Sequence, residues 1–356
     1  MVRDIKLATL RLLKRGGIFD LVADSRWRRQ RLLVLCYHGV SLDDEHRWRP
    51  ALYMEPAVLE QRFEMLKRCN YTVLPLGQSL ERLRAGSLPP RSVAITFDDG
   101  TYDFYRQAYP LVKKYGFPVT VYLTTYYCDL QRPVFNLITS YILWLKRGQV
   151  IQNARELGLT SPLDLRTEAG RHEIVRKLLD LAERETMTGS EKDLLADRLA
   201  EFLGVDYKAL VAKRVLQIMN ANELKEVSEG GVDVQLHTHR HRTPENEVLF
   251  RREIHENRER IQTLISKSAT HFCYPSGVFR PMFLPWLAQE QVSSATTCDP
   301  GLATRESEML LIPRYVDTQT RTATDFESWL SGVGDLLAVR RTTRQKYIPH
   351  ETESRP

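Results

Sequence analysis

Two adjacent carboxylates end a hydrophobic stretch in the run ITFDDG, residues 95–100. Asp98 and Asp99 repel each other if both are ionised and removed from water, so a positive charge must lie nearby to offset them. If Asp99 ligates a divalent cation, the cation neutralises one carboxylate and leaves Asp98 available as a base toward water. An Asp-Gly pair is also common in turns, so this stretch alone does not establish a site.

A second cluster lies at residues 237–241, which read HTHRH. His237 and His241 stand at positions i and i+4, and this spacing can direct two imidazole nitrogens to one divalent cation. One carboxylate from elsewhere would complete a set of two histidines and one carboxylate, which leaves coordination positions open for water and substrate. We favour this pairing, although His239 would pair with His237 if the segment were extended.

Both clusters follow predicted strands. Buried strands are predicted from apolar runs at 31–40, 92–97, 119–125, 232–237, 270–275, 292–297 and 309–316. Helical segments separate several of these runs, and such alternation predicts an α/β fold with parallel strands and outer helices. In these folds the carboxyl ends of the strands carry the chemistry.

Three regions depart from this alternation. Residues 130–230 read as several helices with charged faces, which predicts a large helical insertion in a domain spanning 31–339. Residues 1–30 form a basic segment whose helix would either pack on the domain or lie on an anionic membrane surface. Residues 340–356 form a polar tail that we predict to be disordered.

The composition limits the function classes. Five cysteines without CxxC pairs argue against a disulfide framework and favour a reducing compartment. We find no signal peptide or transmembrane span, since the longest charge-free apolar run, at 133–145, fits a buried or interfacial helix. We therefore expect a cytoplasmic protein, with peripheral contact to the inner face of the membrane left open. The basic residues lack a nucleic-acid reader motif, and the oligomeric state is not predicted.

The ordered motifs TFDDG, HTHRH and CYPSG resemble those of the polysaccharide deacetylases with a NodB homology domain, carbohydrate esterase family 4. The resemblance covers about residues 31–330 without the insertion. It implies a distorted (β/α) barrel of about seven strands and one divalent metal, usually zinc. The implied roles are Asp98 as general base, Asp99, His237 and His241 as metal ligands, and Tyr274, Pro275 and Gly277 as a groove wall with the Tyr274 N–H as oxyanion donor.

The sequence departs from the family pattern at two points. Cys273 stands where the family carries an arginine that orients the catalytic aspartate, and Arg314 in LIPRY is our substitute, unless it forms a surface salt bridge. No histidine lies in 272–349, where the usual pattern has its general acid. A permuted subgroup acting on exopolysaccharides resembles this chain, with that histidine in a strand like LCYHGV. His38 is therefore the candidate acid, unless it is a buried structural residue.

The expected function is metal-dependent removal of N-acetyl groups from amino sugars of a polysaccharide or lipid-linked glycan. Two alternatives remain at this point. One is an amidase or deformylase acting on another small N-acyl or cyclic imide substrate with the same site. The other is a carbohydrate-binding module that has lost catalysis, which the missing motif arginine keeps open.

Overall fold

The structure, a computed structural model, describes residues 2–158 and 162–338. The predicted disordered tail at 340–356 lies outside the described residues. The described chain divides into two compact units, of which the first comprises residues 2–126 and 219–338 and the second residues 127–218.

The strands of the described ranges are short, and in chain order they are β1 (Leu33–Tyr37), β2 (Gly39–Val40), β3 (Tyr53–Met54), β4 (Thr72–Val73), β5 (Ser92–Phe97), β6 (Thr120–Leu123), β7 (Val150–Ile151), β8 (Leu163–Asp164), β9 (Asp233–Leu236), β10 (His271–Cys273), β11 (Ser294–Thr296) and β12 (Tyr315–Val316).

The α-helices are α1 (Val2–Arg15), α2 (Ile18–Ala23), α3 (Arg26–Arg29), α4 (Glu45–Trp48), α5 (Pro56–Arg68), α6 (Leu76–Ala85), α7 (Tyr109–Tyr115), α8 (Phe135–Leu145), α9 (Glu168–Arg184), α10 (Gly189–Leu203), α11 (Tyr207–Ala212), α12 (Ala221–Glu229), α13 (Glu247–Ile265), α14 (Phe283–Gln289), α15 (Ala323–Ser331) and α16 (Val333–Leu337). A π-helical turn, Phe104–Ala108, precedes α7. Within these ranges no helix combines the length and the apolar character that crossing a bilayer requires.

One parallel sheet organises the first unit. Its strand order is β11, β10, β9, β6, β5, β1, β12, and the short β4 pairs with the start of β5. Ile312 forms a parallel bridge with Thr296 at the end of β11, so the two edges of the sheet approach each other. The sheet curls into a half-barrel of seven parallel strands surrounded by helices, which confirms the predicted distorted (β/α) barrel.

The register of this sheet brings the carboxyl ends of its strands together. Tyr37 pairs with Phe97, Phe97 with Val121, and Leu123 with Leu236. All residues of β1, β5 and β6 are buried, as expected for strands covered on both faces. The residues that follow these strands therefore emerge at one edge of the sheet.

The predicted strand at 309–316 is shorter than expected. Only Tyr315–Val316 is a strand, although the N–H groups of Ala295 and Thr297 donate to carbonyl groups of Met309 and Ile312. Pro313 lies between these two parts and has no N–H to donate. The run therefore contacts β11 first and pairs with β1 only after the proline.

The second unit contains α8 to α11 and a two-stranded antiparallel hairpin of β7 and β8. The apolar run at 133–145 forms α8, whose side chains from Ile138 to Trp144 are buried against α9 and α10. The hairpin has two residues in each strand, too few for a periodicity to be read from the sequence. Helix α12, which lies within the predicted insertion, belongs to the first unit.

Candidate metal and catalytic site

Asp99, His237 and His241 lie together beyond β5 and β9. The Asp99 Oδ1 atom is 3.3 Å from His237 Nε2 and 3.2 Å from His241 Nε2. Asp99 has a left-handed backbone, with φ of 73°, and Gly100 follows with φ of 72°, so the chain turns sharply where β5 ends. One carboxylate oxygen and two imidazole nitrogens within 4.8 Å of one another form a donor set that fits a divalent cation such as zinc.

His237 is oriented by two further hydrogen bonds. Its Nδ1 atom donates to the Cys273 carbonyl oxygen at 2.9 Å, which leaves Nε2 as the ligating atom. Its backbone N–H donates to Asn257 Oδ1 at 3.0 Å. The ring is therefore fixed in both tautomer and direction before any cation binds.

Helix α13 holds the histidine loop through two buried polar residues. The Glu253 carboxylate accepts bonds from the Arg240 N–H at 2.7 Å, from Arg240 Nη1 at 3.0 Å and from Arg242 Nε at 2.8 Å. One turn further along, the Asn257 amide donates to the carbonyl of Leu123 at 3.0 Å. Sequence reasoning missed both residues. They lie at helical spacing from the apolar residues Phe250 and Ile254, and polar residues on such a buried helix face are a signal that the sequence does contain.

His239 lies apart from the candidate metal ligands. Its Nδ1 atom is 2.8 Å from Thr125 Oγ1, and its backbone N–H donates to the Glu253 carbonyl. The structure therefore brings together the favoured pair, His237 and His241, and not the alternative pair of His237 and His239.

Asp98 is paired with Arg314. Arg314 Nη1 and Nη2 donate to Asp98 Oδ1 and Oδ2, both at 2.7 Å, and the arginine is fully buried, so it is not a surface salt bridge. Burial raises the pKa of Asp98, but the charge of Arg314 and its hydrogen bonds outweigh burial and hold that pKa well below its usual range. The carboxylate is thus ionised at neutral pH.

Cys273 occupies the space beside this pair. Its Sγ atom is 3.0 Å from Arg314 Nη2 and 3.5 Å from Asp98 Oδ2. Burial raises the pKa of the Cys273 thiol, so the group is neutral there. A small neutral side chain at this strand end leaves room for a guanidinium that enters from the segment before β12.

His38 lies on another side of Asp98. Its Nε2 atom is 3.6 Å from Asp98 Oδ2, and its side chain is 16% exposed. Burial lowers the pKa of His38, while the charges of Asp98 and Asp99 oppose that shift. The next residue, Gly39, packs so closely on Tyr53 that a Cβ there would lie 2.1 Å from the ring, which makes glycine necessary beside the histidine.

Asp103, which sequence reasoning missed, supports β2, the strand that follows His38. Its Oδ1 atom accepts hydrogen bonds from the Val40 N–H at 3.0 Å and from Thr101 Oγ1 at 2.8 Å. Burial raises the pKa of Asp103 to about 7. The sequence gives little indication of this role, because Thr101 is a near neighbour of Asp103 in the chain whereas Val40 lies 63 residues away.

The segment after β10 forms a short 3₁₀ turn, Pro275–Gly277. Tyr274 is buried, and its backbone N–H, the predicted oxyanion donor, donates to the Thr296 carbonyl at 3.3 Å. That N–H is engaged in the sheet and would have to leave Thr296 to serve as an oxyanion donor. Gly277 has φ of 67°, and a Cβ there would lie 3.1 Å from Cys298 Cβ.

The sequence model of the polysaccharide deacetylase family matches residues 85–157 and 207–291. These stretches contain Asp98, Asp99, His237 and His241, whereas His38 and Arg314 lie outside them. This match confirms the resemblance to the polysaccharide deacetylases that was inferred from the motifs.

Two curated relatives match parts of the chain. The poly-beta-1,6-N-acetyl-D-glucosamine N-deacetylase of Escherichia coli (strain K12) is 27% identical over 100 residues, which is 28% of this chain and 15% of that protein. The enzyme of the same name from Staphylococcus aureus (strain MSSA476) is 38% identical over 66 residues, 18% of this chain and 23% of that protein. The matched region thus spans less than a quarter of either relative.

Solved structures share the fold over most of the chain. The Streptococcus pyogenes deacetylase PplD, solved in complex with acetate, aligns with a TM-score of 0.54 and 17% identity over 82% of this chain and 93% of its own. IcaB from Ammonifex degensii aligns with a TM-score of 0.52 and 17% identity over 85% of this chain and 97% of its own. At such identity the likeness concerns the fold.

Proposed function

We propose that this chain is a metal-dependent N-deacetylase that hydrolyses the N-acetyl groups of amino sugars in a polysaccharide or a lipid-linked glycan. The observation that carries the proposal is the position of Asp98, an ionised carboxylate paired with Arg314 and directly preceding the Asp99, His237 and His241 cluster. A base beside a two-histidine, one-carboxylate set is the arrangement that metal-assisted amide hydrolysis requires.

Asp99, His237 and His241 would hold the cation, and their mixed oxygen and nitrogen donors favour zinc. A divalent cation bound by these residues would polarise the amide carbonyl, stabilise the charge developing on its oxygen and lower the pKa of the attacking water.

Asp98 is the general base in this proposal. Because Arg314 binds both of its oxygens, the carboxylate keeps one orientation and stays ionised until water transfers a proton to it. The water oxygen then bonds to the acetyl carbon.

His38 is the general acid that protonates the amine as the carbon–nitrogen bond breaks. Burial favours its neutral form, so His38 must take up a proton before it can act as an acid. In this proposal it receives the proton that Asp98 took from water, across the 3.6 Å between Oδ2 and Nε2, and passes it to the leaving nitrogen. One water and one amide thereby give acetate and a free amino sugar.

The substrate class rests on the relatives and the site together. Both curated relatives are named as deacetylases of poly-beta-1,6-N-acetyl-D-glucosamine, which supports an N-acetylglucosamine polymer of the exopolysaccharide kind. Tyr274, Pro275 and Gly277 would form one wall of the groove that receives the sugar chain.

The test measures acetate release from N-acetylglucosamine oligomers together with the zinc content of the purified protein. Asp98→Asn should lower turnover by about 10²- to 10⁴-fold while zinc stays bound, because only the base is lost. His237→Ala should lose both activity and zinc. Asp20→Asn, at a carboxylate whose side chain is 82% exposed, is the matched control and should change neither.

Three outcomes would contradict the proposal. Unchanged acetate release by Asp98→Asn would remove the base assignment. Formate or an opened imide in place of acetate, across a panel of N-acyl substrates, would point to the amidase alternative. Glycan binding by a protein that retains no metal would favour the non-catalytic module.

A further inference from the structure

We propose that helix α1 and the helices packed with it form a docking surface for an anionic phospholipid bilayer. The first observation is the distribution of exposed apolar side chains. Of the nine large hydrophobic residues exposed in the described chain, five lie on α1, α2 and α16: Ile5, Leu12, Leu21, Leu336 and Leu337. Scattered single residues of this kind are ordinary, but their concentration on one group of helices is not.

These helices form one packed layer of the first unit. Helices α1, α2 and α16 pack against α15, and Leu10, Phe19 and Val333 form a small buried core between them. Lys6 pairs with Asp325 at 3.3 Å, and Lys14 pairs with Glu327. The inner face of α1 is thereby fixed, and its outer face is held in one orientation.

The outer face of α1 is both apolar and cationic. At 100° per residue, Ile5, Ala8 and Leu12 lie roughly 160 to 220° around the helix from the buried Leu10. The side chains of Ile5 and Leu12 are 62% and 72% exposed. Arg11 and Arg15 lie beside this stripe, roughly 100 to 140° from Leu10, and neither forms an ion pair with another described residue.

The charge balance selects an anionic partner. Residues 1–31 hold nine basic and three acidic residues, of which Arg28 is fully buried and Lys6 and Lys14 pair with acids of α15, so that Arg11 and Arg15 supply the free positive charge of the outer face. Two of the three acids, Asp20 and Asp24, are already engaged by Arg91 at 3.5 and 2.8 Å. Exposed leucine and isoleucine beside two arginines that pair with no other described residue form the pattern of a helix that lies in a lipid interface, with the cations at the headgroups.

The experiment is co-sedimentation of the full chain with vesicles of phosphatidylcholine alone and of phosphatidylcholine mixed with phosphatidylglycerol. The protein should bind the anionic vesicles, and high salt should weaken that binding. Arg11→Ser/Arg15→Ser and Ile5→Ser/Leu12→Ser should each lower the partition coefficient by about tenfold or more. The substituted side chains are exposed, and turnover of soluble N-acetylglucosamine oligomers reports that each variant is folded.

Matched controls separate this surface from general adhesion. Val248→Ser changes a side chain that is 73% exposed on α13, and Arg82→Ser/Arg84→Ser removes two exposed cations from α6. Neither control should change vesicle binding. Equal losses in the controls, or a wild-type protein that stays in the supernatant, would overturn the proposal. A wild-type dimer that Leu12→Ser converts to monomer without any effect on vesicle binding would assign the face to a second copy and would also overturn it.

Discussion

Asp98 and Asp99 are neighbours in sequence, yet their side chains have different partners. Asp98 is bonded by a buried guanidinium, and Asp99 by two imidazoles. The left-handed backbone of Asp99 separates the two side chains. Each carboxylate thus has partners of its own, a guanidinium for Asp98 and two imidazoles for Asp99, which offsets the repulsion expected from the sequence.

Loss of Arg314 should destabilise the protein strongly. In Arg314→Met the ionised Asp98 is left buried without its partner, and the free energy of unfolding should fall by about 3 to 5 kcal/mol, measured by urea denaturation. The double variant Asp98→Asn/Arg314→Met should recover much of this loss, because it no longer buries an unpaired charge. A double variant as unstable as the sum of both single variants would contradict this account.

Asp103 should make stability depend on pH. Its folded pKa of about 7 exceeds the unfolded value near 3.9, so the folded state holds a proton that the unfolded chain has released, and stability falls as pH rises from about 4 to 7. Asp103→Asn removes this penalty and can keep both hydrogen bonds on its oxygen. Between about pH 5 and 8 the variant should gain about 2 to 3 kcal/mol relative to the wild type. Denaturation curves that shift in parallel, as expected for Asp20→Asn, would contradict the assignment.

At the residue scale, the sequence predicted the groups that follow strands. Asp98, Asp99, His237 and His241 could be predicted because the strand ends and the spacing of the histidines are local properties. Glu253 and Asn257 could not be assigned a role, since each contacts a loop that the sequence alone does not bring near. The engagement of the Tyr274 N–H depends on the register of β10 and β11, which is likewise non-local.

At the scale of elements, α13 acts as the support of the histidine loop. Glu253 and Asn257 lie one turn apart on its buried face, one contacting the loop at Arg240 and Arg242 and the other contacting His237. The loop includes two left-handed residues, Thr238 and His241, whose backbone conformation needs such support. The precision of the candidate metal site therefore depends on a helix that contributes no ligand.

Removing the charge of Glu253 should weaken metal binding without removing a ligand. Glu253→Gln loses its ion pairs with Arg240 and Arg242, so the loop carrying His241 becomes less ordered, and zinc affinity should fall by about 10- to 100-fold. Competition with a chromophoric chelator measures the change. Glu256→Gln is the matched control, because Glu256 also contacts Arg240 but is more exposed, and its effect should be smaller. Equal effects of the two variants would argue against a specific role for Glu253.

Elements with a clear apolar pattern could be recognised from the sequence as helix or strand, whereas short or irregular elements could not. Strand β5 has the predicted bounds, 92–97, because its apolar run is continuous. The π-helical turn at Phe104–Ala108 cannot be told from an ordinary helix in the sequence, since one inserted residue leaves the composition unchanged. Helix α4 has four residues, which are too few for a helical period to be recognised in the sequence.

At the scale of the whole molecule, the strands of the sheet differ in how deeply they are buried and in how they are paired. Strand β1 is paired on one side with β5 and on the other with β12, and all of its residues are buried. Strand β4, by contrast, is two residues long and only partly buried. Local openings should therefore be frequent at β4 and rare at β1.

Hydrogen exchange followed by mass spectrometry should reveal this gradient. Amides of Leu33–Tyr37 should exchange only through global unfolding, so their exchange should follow the free energy of unfolding as urea is added. Amides at Thr72 and Leu74, which donate to Arg91 and Val93, should exchange faster and depend less on urea. Equal protection of the two strands would contradict the inferred gradient.

The position of β1 also affects how the protein is made. Its pairing partner β12 and the arginine that binds Asp98 lie almost three hundred residues later in the chain. A ribosome that has translated residues 1–311 has supplied both carboxylates and all three histidines of the site, but not the guanidinium that stabilises Asp98. The nascent chain therefore cannot complete the candidate site in stages, and folding of the site waits until Arg314 and β12 have been synthesised.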